Sequence, residues 1–321
     1  MIRVYLLTIF LHLPLLACFA EETGRNFIVA KPFLYSFTQM RADLRKDTII
    51  FKQEKVIFGL GVQLNKYWSA RIGIDLINMN KPYLKPTVLT YRKDNWTVDA
   101  GIFFTSEMDK PFLQFWNNRF IDPVPADKWL YSPIADLGLR ATYRWNDLIT
   151  TDVSIVSGNG YQRLTEKYHP KPAIRVTLTP FQLLTLGGYI SARKEDISET
   201  TLNCFAHLQM DNKWKVTGEY HHKSNCRFAE GRRVDVMSVY GAYNLLSWLG
   251  LMGRYDYIRS NREEPTGEKW NLQKDGHAFI GGLIFQCFPA IRLSIDYRNK
   301  RPAVRSIEKE NWMYICLEFK Y

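Results

Sequence analysis

Two groups of residues have types and spacings that invite a chemical reading. The first is the segment Ser106–Tyr131. It carries Lys110, Arg119 and Lys128 among Asp109, Asp122 and Asp127, interleaved with Phe112, Phe115, Trp116, Phe120 and Trp129. Cations on one loop can meet a polar or anionic solute, and rings of such charges set selectivity in a pore. The second group is His221-His222, with Ser224 and Cys226 close behind. A serine nucleophile needs a histidine and an oriented polar partner. With six histidines in the chain, mere proximity is cheap. Ordinary histidines at a strand end are the expected reading. A metal at His221, His222 and Cys226 would need further ligands that the sequence does not indicate. Gly158-Asn-Gly160 reads as a turn rather than a phosphate cradle, because no helix follows it. No enzyme, metal or cofactor is therefore expected.

The elements that must carry these residues are strands. At the end of the chain, Met313, Ile315, Leu317, Phe319 and Tyr321 alternate with Tyr314, Cys316, Glu318 and Lys320. The same period of two runs through Trp68–Leu76, Trp96–Phe104, Trp214–His221, Leu249–Tyr257 and Ile291–Arg298. In each, one face is nearly free of charge. The other mixes bases with acids and carries Arg71, Arg254, Arg292, Asp75, Asp99, Asp256 and Asp296, and Arg140 is assigned to the same side. No amphipathic helix of ordinary length is evident.

Tight turns are expected at Asn65-Lys66, Asp94-Asn95, Asn146-Asp147, Thr179-Pro180, Asp211-Asn212, Leu245-Leu246 and Phe288-Pro289. The spacing leaves room between them for two strands of about 10 residues and a longer loop. Seven such turns join fourteen strands. A first strand near Lys31–Thr38 and a last near Asn311–Tyr321 make sixteen, with 14 and 18 as alternatives. The fold class expected is all-β: a single transmembrane antiparallel up-and-down β-barrel with short periplasmic turns and long outer loops. A set of soluble sandwiches is the competitor, at roughly 100 residues per domain. No linker or composition break divides the chain in that way.

Export is read from residues 1–20, a basic start, an apolar run and Ala20 before Glu21-Glu22. The organisation expected is a signal peptide over 1–20 and an outer-membrane barrel over 21–321. The rival reading lipidates Cys18. After Ala20 no stretch reaches the roughly 20 apolar residues of a membrane helix. Aromatics make up 14% of the chain. Trp68, Trp96, Trp145, Trp214 and Trp248 each lie beside an expected turn, as in an interfacial belt. Cys204, Cys226, Cys287 and Cys316 fit no zinc or disulfide framework, so isolated thiols are expected.

If the charged face lines the lumen, a barrel of sixteen strands is too wide to be filled by its own wall. The long loop Ser106–Tyr131 is third among the outer loops. In general porins the third loop folds inward, and by that resemblance Arg119, Lys110 and Lys128 face the solute; the alternative is a loop that caps the barrel mouth or contacts a neighbouring protomer. The net charge of +11 favours anions in a basic lumen. Basic outer segments such as Asn299–Arg305 suit anionic lipopolysaccharide instead. Nucleic acid is not expected as a partner, since the basic residues are dispersed and carry no binding motif.

Ser132-Pro-Ile-Ala-Asp-Leu-Gly138, a strand, a turn and Val153-Ser-Ile-Val-Ser-Gly-Asn-Gly-Tyr161 together resemble the phosphate-selective porin (porin O and P) group of Bacteroidetes type. The match covers about 30 residues, and the chain lacks the N-terminal coiled segment of longer members. No lysine-rich lumenal ladder is evident. The resemblance implies a trimeric channel of a Gram-negative cell envelope, with outer-membrane lipid around it and small hydrophilic solutes passing through. The final aromatic, Tyr321, is similar to the signal that barrel assembly machinery reads. The function expected is passive diffusion with an anion preference. The alternative is a non-conducting barrel that scaffolds a larger envelope complex.

Overall fold

In a computed structural model the structure describes residues 29–44, 46–77, 82–130, 132–163, 169–262, 267, 269–304 and 306–321. The export signal expected at residues 1–20, Cys18 within it, Tyr131 and Arg305 lie outside these. Sixteen strands follow one another along the chain. The first eight are β1 (Val29–Asp43), β2 (Thr48–Gln63), β3 (Trp68–Asp75), β4 (Tyr83–Lys93), β5 (Trp96–Phe104), β6 (Ala135–Arg144), β7 (Ile149–Val156) and β8 (Lys171–Phe181). The rest are β9 (Leu184–Lys194), β10 (Ser198–Met210), β11 (Trp214–Ser224), β12 (Arg233–Leu246), β13 (Leu249–Ser260), β14 (Gly276–Phe288), β15 (Ile291–Pro302) and β16 (Glu310–Lys320).

Each strand pairs antiparallel with its chain neighbours, and β1 pairs with β16 to close the barrel. Closure leaves no free edge, so every wall amide can find a partner between strands. The Tyr321 amide donates to the Leu34 carbonyl at 2.9 Å and completes that seam.

The outward face is apolar. Ile72, Leu139, Val153, Ile190, Val239 and Leu317 are all exposed there. Such a continuous apolar girdle is unfavourable in water and suited to hydrocarbon. At the short-turn rim the expected tryptophans form a belt. Trp68 packs on Tyr91 at 4.9 Å, Trp96 on Tyr143 at 4.6 Å, and Tyr143 on Trp145 at 4.9 Å.

Three expected turns are displaced. Thr179-Pro180 lies inside β8, Leu245-Leu246 inside β12, and Phe288 ends β14. In each case the register shifts one or two residues before the true turn, at Leu178/Phe181, Asn244/Leu246 and Gln286/Phe288. A bulge absorbs the extra residue and the strand continues past it. Pro180 falls in such a bulge, where a missing N–H is tolerated.

One face assignment is also corrected. Ile102 and Phe104 are expected outward with Trp96, Val98 and Ala100. Gly101 instead takes φ +117, and a Cβ there would sit 2.4 Å from the Thr87 carbonyl oxygen. Only glycine accepts that conformation readily. Past it the alternation slips: Ile102 is buried with Ala135 and Tyr161, and Phe104 lines the interior.

Candidate functional site: the barrel interior

The loop between β5 and β6 folds into the barrel. Its two short helices, a π-helix at Pro111–Trp116 and an α-helix at Pro125–Trp129, each begin with proline, whose missing N–H costs nothing there. Met108, Phe115, Trp116, Phe120, Ile121, Val124 and Trp129 are buried against inward side chains including Phe205, Val236, Tyr240 and Ile280. The interior wall of β10 to β14 is thus partly apolar, because it packs against this loop rather than facing water.

Wall residues hold the loop by its backbone and by its acids. Gln39 on β1 donates to the carbonyls of Phe120 and Ile121, each at 2.8 Å. Lys215 on β11 reaches the Gln114 and Trp116 carbonyls at 3.4 Å. Arg292 on β15 donates to Asn117 and Asn118. Asp109 is clamped between Arg140, at 2.9 Å, and Arg175. Asp122 faces Lys128 at 2.7 Å, Arg254 at 3.4 Å and Arg298 at 3.5 Å. Glu107 accepts from Ser132 at 3.2 Å and pairs with Lys171 at 3.4 Å. The Trp129 indole donates to Asp256 at 2.6 Å.

Burial alone would raise these three loop carboxyls. Lys171, His221 and Lys223 outweigh it at Glu107, Arg175 and Arg140 at Asp109, and Lys128, Arg254 and Arg298 at Asp122, so all three are held below their ordinary values of 4.5, 3.8 and 3.8. A carboxyl depressed in the folded state contributes stability above its unfolded pKa and loses it as pH falls through the folded one. The loop should therefore stay docked from pH 7 to about pH 5 and loosen progressively below about pH 4. Protease cleavage within Ser106–Leu130, followed from pH 7 to pH 3, checks this. Cleavage that is already fast at pH 6 would contradict it.

Beside the loop a cavity of about 1000 Å³ remains. Its lining reaches from Arg227 and Trp270 in the long loops to Phe33 and Lys320 at the other end. The Lys320 amide bonds the Ala290 carbonyl in a short turn, which places that end at the short-turn rim. Ten lining side chains are Lys or Arg and three are Asp or Glu, a surplus of seven positive charges. Lys55 and Lys85 stand over Asp75 at 3.1 and 3.5 Å. Lys223 and Arg193 share Glu199 at 3.3 and 2.7 Å. A second cavity of about 350 Å³ lies toward the short turns, and Asn117 at the loop tip lines both.

The residues singled out from the sequence divide into two sets. Arg119 and Arg71 line the large cavity, and neither has an ion-pair partner among the described residues. Arg140, Arg254 and Arg292 instead hold the loop, and Asp75, Asp99, Asp256 and Asp296 are buried beneath bases. Lys128 and Lys110 do not line the large cavity: Lys128 is turned onto Asp122, and Lys110 lies partly buried next to Asp109.

Sequence reasoning missed four lysines of the cavity, Lys55, Lys85, Lys171 and Lys223, and placed Lys320 only on the charged face of the last strand. Lys55 directly follows one bulge, at Phe37/Thr38, and Lys85 directly precedes another, at Arg71/Gly73, which offsets the plain alternation that would have revealed them. His221 and His222 point to opposite faces, so they do not share one site. His221 is buried inside beside Glu219 at 3.0 Å, and all four described cysteines are free.

The motif at 132–138 and 153–161 serves as a clasp. Asp136 accepts from Ser157 Oγ at 2.5 Å and from the Gly158 amide at 2.8 Å, fixing the loop after β7. Gly158 has φ +85 and lies against the His169 carbonyl, a place no side chain fits.

No protein-family model matches the chain, and no curated protein matches it. Solved structures do. A loop-deletion form of OmpT, an outer membrane protein of Vibrio cholerae, superposes with a TM-score of 0.70 at 11% identity, over 92% of this chain and 99% of its own. The outer membrane channel DcaP of Acinetobacter baumannii gives 0.68 at 11% identity, over 92% and 97%. Salmonella typhi OmpF, in complex with daunomycin, gives 0.69 at 10% identity, over 91% and 97%. The chain shares the porin barrel fold with these proteins, and at such identities the likeness is one of fold.

Proposed function

We propose that the protein is a porin-like channel of the cell outer membrane, through which small hydrophilic solutes diffuse with a preference for anions. The observation that carries this reading is the cavity that runs from the long loops to the short-turn rim with its surplus of positive charge. A low-dielectric wall focuses that charge on whatever passes. The apolar girdle and the aromatic belt give the barrel its place in a bilayer. DcaP, which shares the fold, is described as an outer membrane channel.

The assignment to the phosphate-selective group rests on the motif at 132–161 and is supported by the cavity lysines. A homo-trimer fits the fold, as OmpT of Vibrio cholerae has a trimer form. Lipopolysaccharide around the long loops and recognition of the strand ending at Tyr321 by assembly machinery belong to the same reading. The buried aromatic core of the inward loop favours a second reading, a barrel that does not conduct and serves as a scaffold.

Swelling of proteoliposomes in sugars of increasing size separates the two. The channel reading predicts fast swelling with pentoses and a cut-off among larger sugars. Swelling no faster than lipid alone, from protein that is folded by its gel shift on boiling, would establish the scaffold.

A further inference from the structure

His222, Ser224 and Asp235 stand together on the outward face, at the long-loop end of β11 and β12. His222 and Ser224 are two residues apart on one strand, so both side chains project to the same side. Register sets Asp235 directly opposite His222. The Ser224 hydroxyl lies 2.9 Å from His222 Nε2, and Asp235 Oδ1 lies 2.8 Å from His222 Nδ1. A neutral imidazole whose Nδ1–H donates to the carboxylate offers Nε2 as acceptor to the serine O–H. The Tyr220 hydroxyl donates to the same Asp235 oxygen at 2.7 Å and steadies it. His221, Lys223 and Val234, the alternate residues, are buried inside the barrel.

The surroundings suggest what meets this serine. Leu202, opposite His222, is 46% exposed, and Met237 is 51% exposed. Arg259 lies opposite Asp235 on β13, is exposed, and has no ion pair among the described residues. At about 3.4 Å per residue and a tilt of about 40°, Ser224 stands roughly 25 Å above the short-turn rim. That is the height of the apolar band, where hydrocarbon gives way to headgroups.

We propose that Ser224, His222 and Asp235 form a serine hydrolase site for the acyl ester of a membrane glycerophospholipid. Ser224 Oγ attacks the ester carbonyl carbon while His222 Nε2 takes the hydroxyl proton. The bond from that carbon to the glycerol oxygen breaks, and His222 returns the proton to the departing oxygen, releasing a lysolipid. Water then attacks the acyl-serine with His222 as base. The carbon–Oγ bond breaks, Oγ regains a proton, and a fatty acid leaves. Asp235 acts as a positioning residue that holds the imidazole tautomer. Arg259 offers a cation to the headgroup phosphate. The lipid substrate rests on the barrel standing in a membrane, whereas activation of Ser224 does not.

The full chain, folded in detergent, should take a fluorophosphonate label on Ser224 when peptides are mapped by mass spectrometry. It should also release oleate from mixed micelles of dioleoylphosphatidylethanolamine. Ser224→Ala should abolish label and release, and His222→Ala should slow release by about 1000-fold or more. Asp235→Asn should lower kcat with KM held, and Asp235→Glu should recover part of it. Each variant should keep its gel shift on boiling, and Ser224→Ala should leave conductance and solute passage unchanged. Folded protein whose Ser224 takes no label and which releases no more oleate than Ser224→Ala would overturn the proposal. A labelled Ser224 without oleate release would overturn its lipid substrate.

Discussion

With Arg71→Glu and Arg119→Glu combined, the channel should lose most of the anion preference proposed for it, the chloride-to-potassium permeability ratio falling several-fold toward unity. Each inversion moves the charge balance of the cavity by two, so the surplus falls from seven to three. These two arginines are the informative choice because neither holds the loop. Arg71 rests on the Phe33 ring at 4.2 Å, and Arg119 has no ion pair among the described residues. The barrel should therefore keep its fold while its field changes. Repeating the measurement in 1 M salt supplies a control, since a Debye length of about 3 Å should erase most of the difference. A variant with wild-type selectivity at low salt would show that the large cavity is not the conducting path.

Arg254→Ala should release the inward loop. This guanidinium is buried, bonds Asp256 at 2.7 Å, reaches Asp122 at 3.4 Å, donates to the Pro123 carbonyl and lies over the Trp116 ring at 5.4 Å. Removing one partner of a buried ionic set leaves uncompensated charge and costs about 3–5 kcal/mol. Most of that cost falls on the docked state of the loop, because sixteen antiparallel ladders hold the wall independently. A loss of about 3 kcal/mol raises the undocked population roughly 100-fold. Cleavage within the loop should accelerate by a similar factor, since proteolysis tracks the open population when reclosing is fast. Single-channel conductance should rise at the same time, while the gel shift on boiling persists. Arg254→Lys should not rescue docking, because an ammonium cannot reproduce the two-pronged contact. Loss of the gel shift itself would mean that the loop is part of the barrel's core stability.

The wall was legible in the sequence because its rule is local. Period-two alternation in Trp312–Tyr321 or Leu249–Tyr257 needs no knowledge of neighbours, and sixteen strands follow once the turns are counted. Thr179-Pro180 shows where local rules slip: the residue types mark a turn, but a bulge lets β8 run on to Phe181. The inward fold of the loop after β5 was anticipated only through its resemblance to the third loop of general porins. Which of its charges face the passage was not. Lys128 and Arg119 look alike in sequence, yet Asp122 captures one and leaves the other. Asp122 itself sits between Arg254 and Arg298, more than 120 residues away in the chain. The cavity lysines were hidden for a similar reason. Lys85 and Lys171 meet at one passage only through barrel closure, and the bulge near Pro86 obscures the face of the former. His222 and Asp235 likewise become partners only through the β11–β12 register.

Reconstitution of the unaltered chain in a planar bilayer, under a tenfold gradient of potassium chloride, tests the central claim most directly. The account predicts stepwise conductance and a reversal potential whose sign marks chloride as the more permeant ion. Folded barrels that insert without conducting, or that conduct with potassium as the preferred ion, would contradict it.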